Sequence, residues 1–516
     1  MSSEQLNALR DEARRAAGYR GKAFPQTHPD RLATVARLHG IPAVAPEGCR
    51  VLELGCGDGG NLLPMAFELR GSTFIGVDLD AERIARGQSR IHELGLENVN
   101  LFARDIGEIG DEYGKFDYIV AHGVYCWVPE HVRAHLLGLC RSLLNDGGVA
   151  FVSFNVLPGW HLLEYMRDFA LLAAEQEGSP SDALTRIRTL AKVFAEGLGG
   201  AAGAQNQHLK ELFERLQTSS DYMLAFDYLG DVAEPLSLGD FVSAAEEKGL
   251  RYVADANFYE TELQRVPPRV RSTLMKDVAA PLQREKLADF FGARLFRRAI
   301  LCKAEQPVGL RGASAVKAFQ LLAQVTRNSA NDDATKPTPA SFSMLHQVKL
   351  TVSAPIVKQA LTVLGDAWPQ SIGFADLVDG VAAASRSATR AEIDRVLTEA
   401  VWELYGAGAL DLRCTAPRCV KRAGEQPMAS LLARLRLGEQ GETVNQHHEF
   451  VLMTDALSRA LFVLLDGTKD RRQLIDALDA AVRSGRLTAS PAERDNLSAV
   501  VEQRLTAWGA HALLLA

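Results

Sequence analysis

A chain of 516 residues is longer than one hydrophobic core organises, so two to four domains are expected. Its 47% hydrophobic and 23% charged residues are ordinary globular values, enough to bury a core without staples. A net charge of −7 argues against a broad nucleic-acid surface, and the absence of any run of eighteen apolar residues argues against a membrane span.

The N-terminal run MSSEQLNALRDEARRAAG is a polar helix pattern with no apolar signal core. The seven cysteines are scattered and form no CxxC pair, as expected for small apolar residues in a reducing, cytoplasmic compartment. Cys414 and Cys419 lack a second pair at zinc spacing, and the side chains of neighbouring His447 and His448 diverge, so no metal is expected.

From Arg50 onward, short apolar runs alternate with longer helical stretches. RVLELG, STFIGVD, VNLFARD, FDYIVAHG and GVAFVSFNV read as strands. NLLPMAFEL, AERIARGQSRIHELG and HVRAHLLGLCRSLL read as helices between them. This pace implies right-handed βαβ units and a parallel, Rossmann-like α/β sheet. Residues 161–235 turn helical, with a break at GLGGAAGAQ. Two late strands follow, in RYVADANF and LFRRAILCKA. The polar stretch TRNSANDDATKPTPAS reads as an exposed linker. Beyond it, a strand pair is expected in FSMLHQVKLTV, three helices ending in a strand resemble a winged helix, and the rest is mainly helical.

The expected division is therefore an N-terminal lid (1–48), a Rossmann-like core (49–160) and a helical insertion (161–235) that caps, dimerises or regulates. The remainder of the sheet (236–305), a linker (306–341), a winged-helix-like middle domain (342–425) and a helical C-terminal domain (426–516) complete it.

VLELGCGDGG carries the chemistry. Gly55, Gly57 and Gly59 lie between a strand and a helix, where a tight turn and close ligand approach exclude side chains. Through Gly60 the run also satisfies GxGxxG, which alone would suit a dinucleotide. Glu53 decides against that, because a carboxylate there repels a pyrophosphate and suits a ligand bearing an amine and a sulfonium. Asp78 ends the next strand, placed to accept two ribose hydroxyls. Asp105 ends the third, where the adenine amino group would lie. Acids on successive strand tips fit an adenosine without phosphates.

These residues resemble the class I S-adenosylmethionine-dependent methyltransferases, with Glu53–Gly59, Asp78 and Asp105 as the first three motifs. The resemblance implies a seven-stranded sheet whose last strand is antiparallel and inserted between the fifth and sixth. It also implies S-adenosylmethionine as cofactor, held by this set together with Cys56, Asn61, Leu79, Ile106 and His122. THPDRLATVARLHGI, AHGVYCWVP, SFNVLPGWH, EKLADFFGARLFRRAILCK and LLDGTKDRRQL are similar to a bacterial subfamily with a methyltransferase regulatory domain, including rickettsial protein lysine methyltransferases. Phe154 and Phe226 stand where many members carry tyrosine and histidine. These relatives imply a protein acceptor and point to a cap and a homodimer interface in the insertion.

Acceptors bind outside the carboxyl ends of such a sheet. Asn155 and Tyr125 are the expected catalytic residues, accepting hydrogen bonds from an incoming amine. Trp127, Trp160 and His161 are the expected substrate-binding residues. Tyr19, Phe24 and His28 of the lid are candidates to touch the cofactor. The function expected is methyl transfer to lysine amines of a protein, without nucleic acid or membrane. The alternatives are a small-molecule N- or O-methyltransferase and a non-catalytic cofactor-binding regulator.

Overall fold

The structure, a computed structural model, describes residues 21–175, 180–200, 203–230, 233–261, 263–264, 266–328, 333–385 and 388–516. Tyr19 and the rest of the first twenty residues lie outside them.

After helix α1 (Pro29–Leu38) the alternation read in the sequence gives β1 (Arg50–Leu54), α2 (Leu62–Glu68), β2 (Thr73–Asp78), α3 (Ala81–Glu93) and β3 (Val99–Ala103). It continues with β4 (Phe116–Ala121), α4 (Glu130–Leu143) and β5 (Leu144–Asn155). The late segments supply α8 (Leu238–Glu247), β6 (Leu250–Asp255), α9 (Pro268–Asp277), α10 (Pro281–Phe291) and β7 (Phe296–Lys303). These seven strands form one sheet in the order β3-β2-β1-β4-β5-β7-β6. β1 to β5 pair in parallel, and β7 runs antiparallel to β5 and β6, as the resemblance implied.

Strand β4 is buried at all six positions, which is why FDYIVA shows no polar alternation: helices cover both faces. One apolar cluster packs α1 and α2 against Val51, Tyr118 and Phe151. The opposite cluster packs α4 and α8 against Leu52, Ile119 and Val152. The strand order reverses between β1 and β4, opening a crevice at their carboxyl ends.

The insertion consists of α5 (His161–Ala174), α6 (Pro180–Leu198) and α7 (Ala204–Thr218), then a short turn leading into a π-helical turn at Leu224–Tyr228. It has its own core, which includes Met166, Ile187, Phe213 and Leu216. Under the sheet's far edge, Arg297 is 1% exposed and pairs with both Glu285 (2.9 Å) and Asp289 (2.8 Å).

Residues 306–341 are not a linker. β8 (Gln320–Leu322) is the central strand of a three-stranded sheet. Val316, Phe319, Leu321 and Ala323 are buried beside it. A three-residue strand shows no period, and the polar run after it dominates the local composition. The same region adds β9 (Thr326–Arg327) and β10 (Ala340–Ser343), and β10 pairs antiparallel with β11 (Lys349–Val352). Then come α11 (Pro355–Ala367), β12 (Ile372–Gly373), α12 (Phe374–Ala384), α13 (Arg390–Gly406) and β13 (Asp411–Arg413), with β12 and β13 flanking β8.

The final segment contains α14 (Leu431–Gln440), a hairpin of β14 (Glu442–Val444) and β15 (Phe450–Leu452), α15 (Ala456–Val463), α16 (Arg471–Arg483) and α17 (Leu497–Ala510). Helix α1 ties the methyltransferase-like core to the middle domain. Arg31 pairs with Asp411 at 2.7 Å, and Asp30 accepts the Cys414 amide at 2.7 Å. Among the described residues, no helix is long and apolar enough to cross a membrane.

Candidate active site

In the loop after β1, the positions of Gly55 and Gly60 leave no room for a side chain. Gly55 has φ +77°, and a Cβ on it would lie 2.3 Å from Val124 Cγ2. A Cβ on Gly60 would lie 2.3 Å from the Gly21 backbone, so lid and loop touch main chain to main chain. Gly57 and Gly59 also have positive φ, and the buried Cys56 donates its amide to Val77 O at 3.0 Å.

Glu53 is 4% exposed at the end of β1. Its Oε1 accepts from Asn61 Nδ2 at 2.8 Å, while its Oε2 is buried without a partner. Burial pushes this carboxyl up to about 8; the Asn61 hydrogen bond opposes the shift and the Asp78 charge adds to it. Asp78 at the end of β2 accepts the Gly57 amide through Oδ2 (2.8 Å) and the Asp80 amide through Oδ1 (3.0 Å). Leu79 beside it is 73% exposed, an apolar side chain facing outward at a strand tip. Asp105 is exposed, and its Oδ1 caps the turn Ile106–Glu108 by accepting the Gly107 amide at 2.8 Å. Ile106 packs partly buried against the core.

After β4, the His122 ring stands edge-on to Phe24 of the lid (3.9 Å), with Phe151 and Phe296 each 5.8 Å away. Its Nδ1 lies 2.8 Å from Ser153 Oγ, which itself accepts the Gly123 amide at 2.9 Å. Burial, aided by the Arg298 charge, pushes His122 down to about 3, so it is neutral.

Asn155 is 3% exposed at the tip of β5, and its Nδ2 is buried without a partner. The Trp127 and Trp160 rings meet edge-on at 6.3 Å, and Trp160 Nε1 is also unpartnered.

Three expectations are corrected. Tyr125 packs against Phe241 in the apolar core, 2% exposed, with burial pushing its phenol up to about 12. The loop after β4 lays the Tyr125 ring on Phe241 of α8, so the ring is part of the apolar core under the strand tips. His161 opens α5 with its side chain 63% exposed and its Nδ1 2.7 Å from Glu164, so it is a surface residue. His28, a candidate to touch the cofactor, instead caps α1 through the Asp30 amide and turns toward Glu68 and His448. Phe154 and Phe226 stack on Phe241 and Tyr222, which explains aromatic side chains at both positions.

The sequence reading missed Ser153, Phe296 and, from the C-terminal domain, His448 and Arg436. His448 Nε2 lies 3.0 Å from Asn61 Oδ1, and Arg436 donates to the carbonyls of Gly60 and Gly21. Ser153 stands in a quoted motif, but nothing in the sequence links residues 436 and 448 to residue 61.

Three family models match the chain. A methyltransferase domain matches residues 52–150, and a predicted methyltransferase regulatory domain matches 220–303. A PKMT C-terminal winged helix domain matches 425–514, the segment that the sequence reading described only as helical. The uncharacterized protein RP789 of Rickettsia prowazekii is 26% identical over 92% of this chain and 86% of its own. RP028 of the same organism is 33% identical over 44% of this chain and 90% of its own. The solved structure of PKMT2 from Rickettsia typhi is 25% identical, with a TM-score of 0.88 over 97% of this chain and 100% of that one. A second structure of that protein, in complex with AdoHcy, matches at 24% identity with the same TM-score and coverage.

Proposed function

The chain belongs to the S-adenosylmethionine-dependent methyltransferases of the rickettsial PKMT type, and from that premise we propose that it methylates lysine amines of a protein acceptor. The residues present fit the cofactor. Glu53 Oε2 is an orphaned buried acceptor suited to the cofactor's amino group, next to a glycine loop where a Cβ at Gly55 would strike Val124. Asp78 receives the ribose hydroxyls and Asp105 the adenine amino group, while Leu79 and Ile106 supply apolar contacts to the base. His122, neutral and held by Ser153, fills the wall behind. Cys56 and Gly57 contribute backbone only.

When bound, the cofactor supplies a methyl carbon activated by its sulfonium. The protein's task is then alignment, which is worth ~7–11 kcal/mol in well-oriented reactions. A lysine amine must arrive neutral, against an ordinary pKa of about 10.4. Apolar walls from Trp127 and Trp160 desolvate the ammonium and favour the neutral form, the proton leaving to water.

The observation that carries the acceptor reading is Asn155: a buried amide with an unpartnered end, at the strand tip beside this aromatic pair. With the amide flipped, that end becomes an acceptor for the amine N–H. The insertion exposes Tyr165, Leu172, Val193 and Phe194, which supports a homodimer through this unit. The seven free cysteines support a reducing, cytoplasmic setting.

A labelled-methyl assay on host lysate tests the acceptor. The expected result is label in protein, recovered as methyl-lysine after hydrolysis and lost when the acceptor is pretreated with protease. Label confined to extractable small molecules would overturn the reading.

A further inference from the structure

Asn61 is a four-way junction. Its NH2 group donates to Glu53 Oε1 (2.8 Å) and Thr27 Oγ1 (3.0 Å), and the single Thr27 proton goes to Phe24 O (2.8 Å). Its carbonyl oxygen accepts the Phe24 amide (2.9 Å) and His448 Nε2 (3.0 Å). With two donors and two lone pairs all engaged, the amide has one allowed orientation. That orientation directs an N–H, rather than an oxygen, at Glu53.

The C-terminal domain delivers His448 from the turn of the β14–β15 hairpin, where the residue holds φ +62°. A non-glycine residue in that region costs free energy and needs surrounding structure to maintain it. Asn445 provides this, with its side-chain oxygen accepting the amides of both His447 and Glu449 at 2.9 Å. His447 points the other way, to Pro369 O at 2.9 Å, fixing the hairpin to the middle domain. A second anchor lies on α14. The Arg436 guanidinium, 6% exposed, donates to Gly60 O (3.0 Å) and Gly21 O (2.9 Å), bridging the glycine loop to the lid.

We propose that the C-terminal domain completes the cofactor site, with His448 as a positioning residue that acts on Glu53 through Asn61, and Arg436 holding the glycine loop against the lid. Cofactor affinity is then set in part by how this third domain docks. Asn61 and Glu53 depend on a donor 387 residues away in the chain.

The test compares full-length His448→Gln and His448→Met, side chains of similar shape of which only Gln keeps a donor at the Nε2 position. AdoHcy affinity is read by calorimetry and fold integrity by the thermal midpoint. The Met variant is expected to bind about tenfold more weakly, as for one lost buried hydrogen bond, and the Gln variant within about threefold of wild type. In the transfer assay the Met variant raises KM for the cofactor and leaves KM for the acceptor unchanged. Equal affinity in the two variants would overturn the inference. Should the Met variant misfold, Arg436→Lys serves instead, because an ammonium does not fork to both carbonyls. Weaker AdoHcy binding is expected there, and unchanged binding would overturn the inference. Failure of the wild-type chain to bind AdoHcy would overturn the cofactor assignment itself, a result distinct from equal variants.

Discussion

Replacing Glu53 by glutamine separates electrostatic holding of the cofactor from simple shape. In the free protein, burial raises this carboxyl from its ordinary 4.5 to about 8. At pH 7, one unit below that value, about nine molecules in ten hold the proton. Pairing with the cofactor's ammonium requires the carboxylate. Binding at pH 7 should therefore release about 0.9 proton, and affinity should rise nearly tenfold per pH unit until about pH 8. Breaking a buried ion pair costs about 3–5 kcal/mol, from which ~1.4 kcal/mol for ionising Glu53 at pH 7 is subtracted. Glu53→Gln should then weaken AdoHcy binding by about 2–4 kcal/mol, or about 15- to 400-fold. Calorimetry in two buffers of different ionisation enthalpy reads affinity and proton release together. Wild-type binding without proton release, or a variant that binds like wild type, would rule out an ion pair between Glu53 and the cofactor. The ligand-free protein carries the opposite signature. Its folded state holds the proton more tightly than the unfolded chain, so this group's stabilisation is fully present below about pH 4.5 and is lost as pH rises through about 8. Glu53→Gln removes that decline, which urea midpoints across the range will show.

Asn155→Ala should reduce kcat at least tenfold and leave AdoHcy affinity within about twofold; equal loss of both would contradict its placement on the acceptor side. Gly60→Ala puts a Cβ 2.3 Å from the Gly21 backbone, so the lid must shift. About 1–3 kcal/mol of stability and much of the cofactor affinity should go with it, and an unchanged thermal midpoint would contradict the close approach. Arg297→Met leaves Glu285 and Asp289 buried beside no counter-charge from that position. A loss of about 3–5 kcal/mol by urea denaturation is expected, and a loss below about 1 kcal/mol would contradict the buried pairing.

What the sequence made legible was local. Strands β1 to β5 showed as short segments rich in apolar residues between helical stretches, and the glycine loop and strand-tip acids lie within a few residues of them. The antiparallel β7 came from resemblance rather than from periodicity. What stayed hidden depends on distant partners. β8 is three residues long and belongs to a sheet only because β12 and β13 arrive on either side. Tyr125 looked catalytic by position, but the fold of its loop over Phe241 decided its direction. His161 ends a quoted motif and yet opens a helix with its own side chain in water. His447 and His448 were read as diverging, and they do diverge, but their separate destinations on Pro369 and Asn61 are set by the docking of a whole domain.

A structure of the full-length chain with S-adenosylhomocysteine shows whether the glycine loop and the strand-tip acids hold the cofactor. The ligand's amino group is expected on Glu53 Oε2, its ribose on Asp78 and its adenine amino group near Asp105. A ligand seated in a different cleft, or one that leaves the Glu53 oxygen without a partner, would contradict it.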